Sequence, residues 1–214
     1  MKNKALSLLP FLVVLGMFIA GIIIYPNLPD KVPSHWNINN EIDEYVKPFW
    51  GAFLLPILAA VIVTLMNYIP RFDPKVQNIK SFQPQFKVLI FIFALFFAYI
   101  YALTLIAAFK PELQVGSLMV PAMGVLFAYI GILLKDTKQN WFIGIRTPWT
   151  LSDATVWDKT HKLGSKLFIG AGVLSILTVF WQAASFYIVI GSILLATFVT
   201  ILYSYLEFKK LARK

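Results

Sequence analysis

The chain has no cysteine and few charged side chains. Its 214 residues include no Cys, and Asp, Glu, Lys and Arg together make up only 14% of them. The absence of cysteine excludes a disulfide framework, a thiol nucleophile and a thiolate metal site, and leaves the redox compartment open. An ordinary soluble domain has about 25% charged and about 45–50% apolar residues, whereas 59% of this chain is hydrophobic. This balance predicts an integral membrane protein.

Long apolar runs dominate the sequence. Each has roughly the 20 residues with which an α-helix crosses about 30 Å of hydrocarbon. The first run follows Lys2 and Lys4 but lacks a small-residue cleavage site, so it is predicted to be a retained span and not a signal peptide. The predicted fold class is an all-α integral membrane protein, a single six-transmembrane-helix bundle. The predicted spans are residues 5–25, 49–69, 88–109, 115–134, 163–181 and 183–206.

Lysine and arginine are distributed unevenly between the loops. When both termini are placed in the cytoplasm, all of the 19 basic residues except Lys31, Lys47 and Lys110 lie on the cytoplasmic side. This asymmetry follows the positive-inside rule. The formal charge of +9 therefore indicates topology and contact with the lipid bilayer, and direct nucleic-acid binding is not predicted. In this orientation residues 26–48 form an extracellular loop and residues 135–162 a cytoplasmic loop.

The predicted extracellular loop has a stiff beginning and an acidic second half. Its prolines fix φ and favour an extended start, and Asn39 and Asn40 are predicted to form a turn. The carboxylates are able to receive a cation or a basic peptide, while a solvated loop with an aromatic anchor stays open as the alternative. One histidine among scattered carboxylates lacks the spacing of a metal site, so no metal is predicted. The candidate extracellular residues are Pro29, Asp30, Pro33, His35, Trp36 and Asn37.

The cytoplasmic stretch NWFIGIRTPWTLSDATVWDKTH, residues 140–161, has a composition that membrane insertion alone does not explain. Its apolar start is predicted to rest at the interface or to fold back between helices. Gly144 permits a bend, and Arg146 is placed for a lipid phosphate or for helix carbonyls. Thr150 or Ser152 is predicted to cap a short amphipathic helix in the interface before span five. A purely structural anchor would also explain this pattern.

Signatures of catalysis and of ion pumping are missing from the sequence. It has no Gly-rich phosphate loop, nucleophile elbow or paired-histidine metal motif, so neither an enzyme nor a cofactor is predicted. Ionisable residues are absent from the middle of the spans, which weighs against a proton-coupled pump. A small transporter or lipid-handling protein, with a cavity framed by Pro56 and Pro121, remains the alternative function.

Two motifs resemble a known family. The run GIRTPWT followed by Trp157 looks like the signature of the SdpI-type immunity protein family, and YPNLPDKVPSHWN looks like the short domain of unknown function that precedes it in longer members. The resemblance implies a multi-pass protein of the bacterial plasma membrane that protects a toxin-producing cell from its own secreted killing peptide. It also implies a receptor role, in which a small DNA-binding autorepressor is sequestered at the membrane.

The resemblance assigns different roles to the two motifs. It makes the extracellular loop the candidate input surface for a toxin and the cytoplasmic segment the candidate output surface. One departure is that the outer motif usually has a glycine where this chain has Asn39 and Asn40, and Asn is the best substitute for glycine in a left-handed turn. The candidate output residues are Asn140, Trp141, Gly144, Arg146, Thr147, Pro148, Trp149, Thr150, Trp157, Thr160 and His161.

Overall fold

The computed structural model describes residues 2–211, and its long helices run side by side as a bundle. Within these residues six helices have the length and apolar composition needed to cross a bilayer, which confirms the predicted helical membrane fold. In chain order the elements are α1 (Lys2–Ile24), β1 (Val32–Trp36), β2 (Ile42–Val46), α2 (Pro48–Tyr68), α3 (Val76–Ser81), α4 (Gln83–Phe109), α5 (Val115–Asp136), α6 (Pro148–Ser152), α7 (Ala154–Leu177) and α8 (Gln182–Leu211).

The long helices form two groups of three. In the first group α1, α2 and α4 pack against one another, and in the second α7 packs against α5 and α8. The main helix contact between the groups is that of α4 with α5. The most extensive contact is that of α5 with α7, where Gly124 and Gly172 let the two backbones approach because neither residue has a side chain.

The fifth long helix begins earlier than its apolar run suggests. Asp153 is the N-cap of α7, and its Oδ1 accepts hydrogen bonds from the N–H groups of Thr155 at 2.7 Å and Val156 at 2.9 Å. The predicted amphipathic segment is therefore the first part of the spanning helix, whereas the separate short helix is α6. This corrects the expected position of the short helix, because the cap lies ahead of the whole amphipathic segment.

A two-stranded hairpin, residues 32–46, covers one end of the bundle. Strands β1 and β2 pair antiparallel, with irregular register around His35. Sequence reasoning expected an extended start and a turn here but not the second strand. Asn40 has a φ of 67°, so the predicted left-handed turn is confirmed. Its Oδ1 accepts a hydrogen bond from the N–H of Gly116 at 2.7 Å and its Nδ2 donates to Ser117 Oγ at 3.3 Å, which fastens the hairpin to the start of α5.

Candidate functional site

The segment between α5 and α7, residues 137–153, contains α6 and most of the cytoplasmic motif and is called the signature loop. Asn140 organises its first corner and is fully buried. Its Nδ2 donates to the carbonyls of Lys138 and Ile143, both at 2.8 Å. Its Oδ1 accepts from the N–H groups of Phe142 at 2.9 Å and Ile143 at 2.6 Å. One side chain thereby supplies hydrogen-bond partners to backbone groups of the loop, which lie outside any helix or sheet.

The connection between α2 and α4 supports the signature loop from the side. Asp73 is only 3% exposed, and its Oδ2 accepts a hydrogen bond from the N–H of Trp141 at 2.7 Å. Asn78 Nδ2 donates to the carbonyl of Gln139 at 2.8 Å, and Gln139 Nε2 donates to two carbonyls of α6 at 2.9 Å. Sequence reasoning missed Asp73, Asn78 and Gln139. The available signal was one acidic residue, Asp73, in an otherwise basic connection.

His161 and Trp157 hold the signature loop against α7. The imidazole of His161 stacks on the Trp157 ring, with centroids 4.0 Å apart. Its Nε2 accepts a hydrogen bond from the N–H of Ile145 at 3.0 Å, so the proton is on Nδ1, which donates to the carbonyl of Trp157 at 2.8 Å. Trp157 Nε1 donates to the carbonyl of Thr137 at 2.8 Å. His161 is therefore a neutral scaffold residue, and the loop is attached to α7 at both ends.

Thr147 and Thr150 form a capping box around the start of α6. Thr147 Oγ1 accepts from the N–H of Thr150 at 3.1 Å, and Thr150 Oγ1 accepts from the N–H of Thr147 at 2.9 Å. Thr147 Oγ1 also lies 3.0 Å from Ser204 Oγ on α8. The prediction that Thr150 or Ser152 caps the amphipathic helix was wrong, because that helix is the start of α7 and its N-cap is Asp153, whereas Thr147 caps α6 ahead of Pro148.

The remaining signature residues divide into buried and exposed sets. Thr160 is fully buried on α7, and its hydroxyl has no hydrogen-bond partner among the described residues. Trp141 is half-exposed, and Arg146 is exposed while its Nη1 donates to the Trp141 carbonyl at 2.7 Å. Trp149 is partly exposed against Tyr205, with ring centroids 5.1 Å apart. The predicted output residues are thus mostly scaffold, and Trp141, Arg146 and Trp149 form a displayed set together with exposed Pro148.

An ion-pair cluster joins α7 to α8 at the same end of the bundle. Glu207 is only 5% exposed although it is charged. Its Oε2 accepts from Lys159 Nζ at 2.6 Å, and its Oε1 accepts from Lys210 Nζ at 2.7 Å. Two lysines offset the cost of burying one carboxylate, so the cluster fixes the ends of the two helices beside the signature loop.

At the opposite end of the bundle, the hairpin lies over a cavity that only some of the predicted extracellular residues line. Pro33, His35, Trp36 and Asn37 line the cavity, whereas Pro29 and Asp30 precede the hairpin and do not line it. Asn37 holds the turn, because its Oδ1 accepts from the N–H groups of residues 39 and 41. Among the described residues, no group of three His, Asp or Glu side chains is placed to hold a metal ion.

The cavity has a volume of about 980 Å³ and lies between the two helix groups beneath the hairpin. Its roof is polar and is formed mainly by hairpin residues 33–40, with Gln114 and Ser117 from the α5 side. Its walls are mainly apolar and come from the halves of α2, α4, α5 and α8 nearest the hairpin. A space of this size and character is suited to an amphiphilic ligand.

His35 is expected to titrate above its ordinary pKa of 6.5. A 2.6 Å contact joins its Nδ1 to Asp43 Oδ1, and this hydrogen bond with the charge of Asp43 raises the His35 pKa, to which Glu44 adds. Because the pKa of His35 is higher in the folded than in the unfolded protein, the ion pair stabilises the fold fully below the unfolded pKa. This stabilisation is lost as the pH rises through the folded pKa. NMR titration of labelled histidine measures this midpoint, and Asp43→Asn should lower it. A midpoint at or below 6.5 would contradict the pairing.

Comparisons with known proteins match two separate parts of the chain as well as its full length. The SdpI/YfhL protein family model matches residues 136–204, and a domain of unknown function, DUF1648, matches residues 12–60. The immunity protein SdpI of Bacillus subtilis (strain 168) is 31% identical over 216 residues, which cover 99% of this chain and 98% of that protein. The chain belongs to the SdpI family. This SdpI-family chain is therefore a multi-pass protein of the plasma membrane.

A second relative matches a shorter part of the SdpI-family chain. The uncharacterized membrane protein YbgB of Bacillus subtilis (strain 168) is 38% identical over 48 residues, 22% of this chain and 53% of that protein. No solved structure matches the chain significantly. The SdpI/YfhL match contains the whole signature loop, α7 and most of α8, and the DUF1648 match contains the hairpin and the first part of α2.

Proposed function

We propose that the protein confers immunity to a secreted killing peptide, with the hairpin outside the cell and both termini inside. Similarity along the full length to a protein named as an immunity protein carries this proposal. The two histidines lie at opposite ends of the bundle, one in the hairpin and one under the signature loop, which favours binding over catalysis. The orientation rests on the distribution of lysine and arginine between the loops.

Survival of a sensitive bacterium tests this function directly. Cells that express the protein are exposed to fractionated peptides secreted by bacilli, beside cells that express an unrelated six-span protein at the same level. We expect at least one fraction to require a tenfold higher concentration for half-killing of the cells that carry the protein. Equal killing of both strains by all active fractions would refute the immunity function.

We also propose that the signature loop is a signalling surface that a small DNA-binding repressor contacts. The loop displays a guanidinium and aromatic rings on a rigid scaffold, and Trp and Arg are enriched in the cores of protein interfaces. Helix α5 joins the two ends of the protein: Asn40 of the hairpin contacts its first turn, and Trp157 contacts Thr137 at its other end. A displacement of α5 would therefore reach the signature loop.

Arg146→Ala and Trp149→Ala should abolish repressor recruitment while leaving membrane insertion intact. Both residues are at least partly exposed, so their loss removes contact surface without emptying the core. Fluorescence microscopy of a tagged repressor gives recruitment, and membrane fractionation gives insertion. Arg71→Ala and Trp181→Ala are matched controls, because both residues are exposed but lie outside the loop. Recruitment equal to wild type in the loop variants would contradict the assignment.

The interior of the bundle does not favour the transport alternative. A second cavity of about 470 Å³ lies under the signature loop and shares no lining residue with the cavity under the hairpin. Between the two levels, Ala59 and Val63 of α2, Ala94 of α4 and Leu126 of α5 are buried and belong to one apolar core cluster. In the described part of the chain, an apolar layer therefore separates the cavities where a transporter needs a polar path.

A further inference from the structure

We propose that the cavity under the hairpin binds the apolar face of a cationic amphipathic peptide, which enters from the membrane between α2 and α8. This inference rests on the proposed immunity function and identifies where and how the killing peptide is recognised. It makes the hairpin a roof over the bound peptide, not an isolated extracellular receptor loop. Three features carry it: the size and lining of the cavity, the aromatic residues on its bilayer side and the charge of the hairpin above it.

The size and the lining of the cavity suit a peptide. Its volume of about 980 Å³ is at the upper limit of roughly 300–1,000 Å³ for small-molecule pockets. Several apolar side chains of one peptide fit together in this volume. Methionine and aromatic side chains adapt to irregular apolar partners and are enriched in protein interfaces. The walls of the cavity contain such residues, namely Trp50, Met119, Met123 and Phe186, together with Leu54 and Ile100.

The cavity is flanked by exposed aromatic residues on its bilayer side. α2 and α8 belong to different helix groups, and both contribute to the wall. Trp50 of α2 is 48% exposed, and Tyr187 of α8 is 64% exposed. Tryptophan and tyrosine favour the membrane interface, where an amphipathic peptide also lies. On this proposal, a peptide in the bilayer would enter between α2 and α8 without crossing the hairpin.

The charge of the hairpin region selects the sign of the ligand. Residues 30–47, in and beside the hairpin, carry four exposed carboxylates and only two exposed lysines, and the four carboxylates lie outside the cavity lining. This excess of negative charge attracts a cationic peptide and disfavours the headgroup of an anionic lipid. A lipid with two acyl chains is the competing occupant of the apolar walls. The carboxylates are Asp30, Glu41, Asp43 and Glu44, and the lysines are Lys31 and Lys47.

The test measures protection against the killing peptide that the survival assay isolates. It uses variants in which a substitution on α5 makes the cavity smaller. Met123→Trp adds a ring to the cavity wall, whereas Val125→Trp adds the same ring on the lipid-facing side of the same helix, where Val125 is 52% exposed. We expect Met123→Trp to lose at least tenfold of the protection and Val125→Trp to keep it. Acetylation of the lysines of the peptide should weaken its binding by a similar factor.

A fluorescence measurement decides the question if Met123→Trp fails to fold. Because the chain has no cysteine, Met123→Cys and Val125→Cys each provide one attachment point for an environment-sensitive dye. In nanodiscs of neutral lipid, the peptide should shift the emission at position 123 and leave position 125 unchanged. Phosphatidylglycerol vesicles should give no such shift.

The possible failures of the proposal are distinguishable. If the wild-type protein protects against no peptide, the immunity function is refuted and the cavity assignment with it. If the wild-type protein protects but the peptide shifts neither dye, or shifts both equally, only the cavity assignment is refuted. A shift produced equally by the anionic vesicles would show a lipid site, and an active peptide without net positive charge would refute the charge selection.

Discussion

Gly144→Ala is expected to destabilise the protein by about 3 kcal/mol, because two separate effects act at one position. Gly144 has a φ of +116°, a conformation that residues with a side chain rarely adopt. The new Cβ would overlap His161 Nε2 and lie 3.2 Å from the Trp157 ring. The imidazole cannot move aside freely, since it stacks on Trp157 and bonds two backbone groups.

Thermal unfolding in detergent measures this effect. Gly191→Ala in α8 is the control, because a Cβ at Gly191 would meet nothing within 4 Å, and its melting temperature should stay unchanged or rise slightly. His161→Ala is itself destabilising, so a double-mutant cycle isolates the overlap: Gly144→Ala should cost less stability in the His161→Ala background than in the wild type, while the backbone strain persists. A Gly144→Ala protein as stable as Gly191→Ala would contradict the described geometry of the loop.

Gly172→Ala is expected to separate α5 from α7 and to cost about 2–3 kcal/mol through overpacking. A Cβ at Gly172 would lie 2.5 Å from the N atom of Ala128 and 2.5 Å from the carbonyl oxygen of Gly124, both of which belong to the α5 backbone. Backbone atoms within a helix cannot rotate away as a side chain does, so the whole helix must shift. Because α5 joins the hairpin to the signature loop, the shift should also reduce protection against the killing peptide.

Gly170→Ala provides the control from the same helix. A Cβ at Gly170 would meet nothing within 4 Å, so the substitution adds the same methyl group and the same helix propensity without a collision. Melting temperature and survival should therefore fall for Gly172→Ala and stay unchanged or rise slightly for Gly170→Ala. Equal behaviour of the two variants would show that α5 and α7 do not pack as closely as described.

The helical fold was predictable because it depends on local composition. Each span needs only a sufficient length of apolar residues, and this property is visible in the sequence without knowledge of its neighbours. The start of α7 was not predictable in this way. Its cap, Asp153, comes before a segment that contains Asp158, Lys159 and Lys162, and this segment resembles a surface helix until the partners of its buried face are known.

The candidate sites were predictable as segments but not as sets of contacts. The signature loop is recognisable by its motif, yet its support by Asp73 and Asn78 comes from residues more than 60 positions earlier in the chain. The same limit applies to the hairpin. Its extended start follows from proline, whereas β2 is a mostly exposed strand without an alternating apolar pattern. Nothing in its local sequence distinguishes it from a solvated loop.

The length of α8 makes the protein sensitive to bilayer thickness. The helix has 30 residues, which at 1.5 Å per residue is about 45 Å, compared with about 30 Å of hydrocarbon. Because the last turns carry Glu207, Lys209 and Lys210, a helix of this length extends beyond the hydrocarbon or tilts within it. A thinner bilayer raises the Glu207 cluster with Lys159 and Lys210 further toward the aqueous phase. The membrane itself thereby sets how far the signature end projects from its surface.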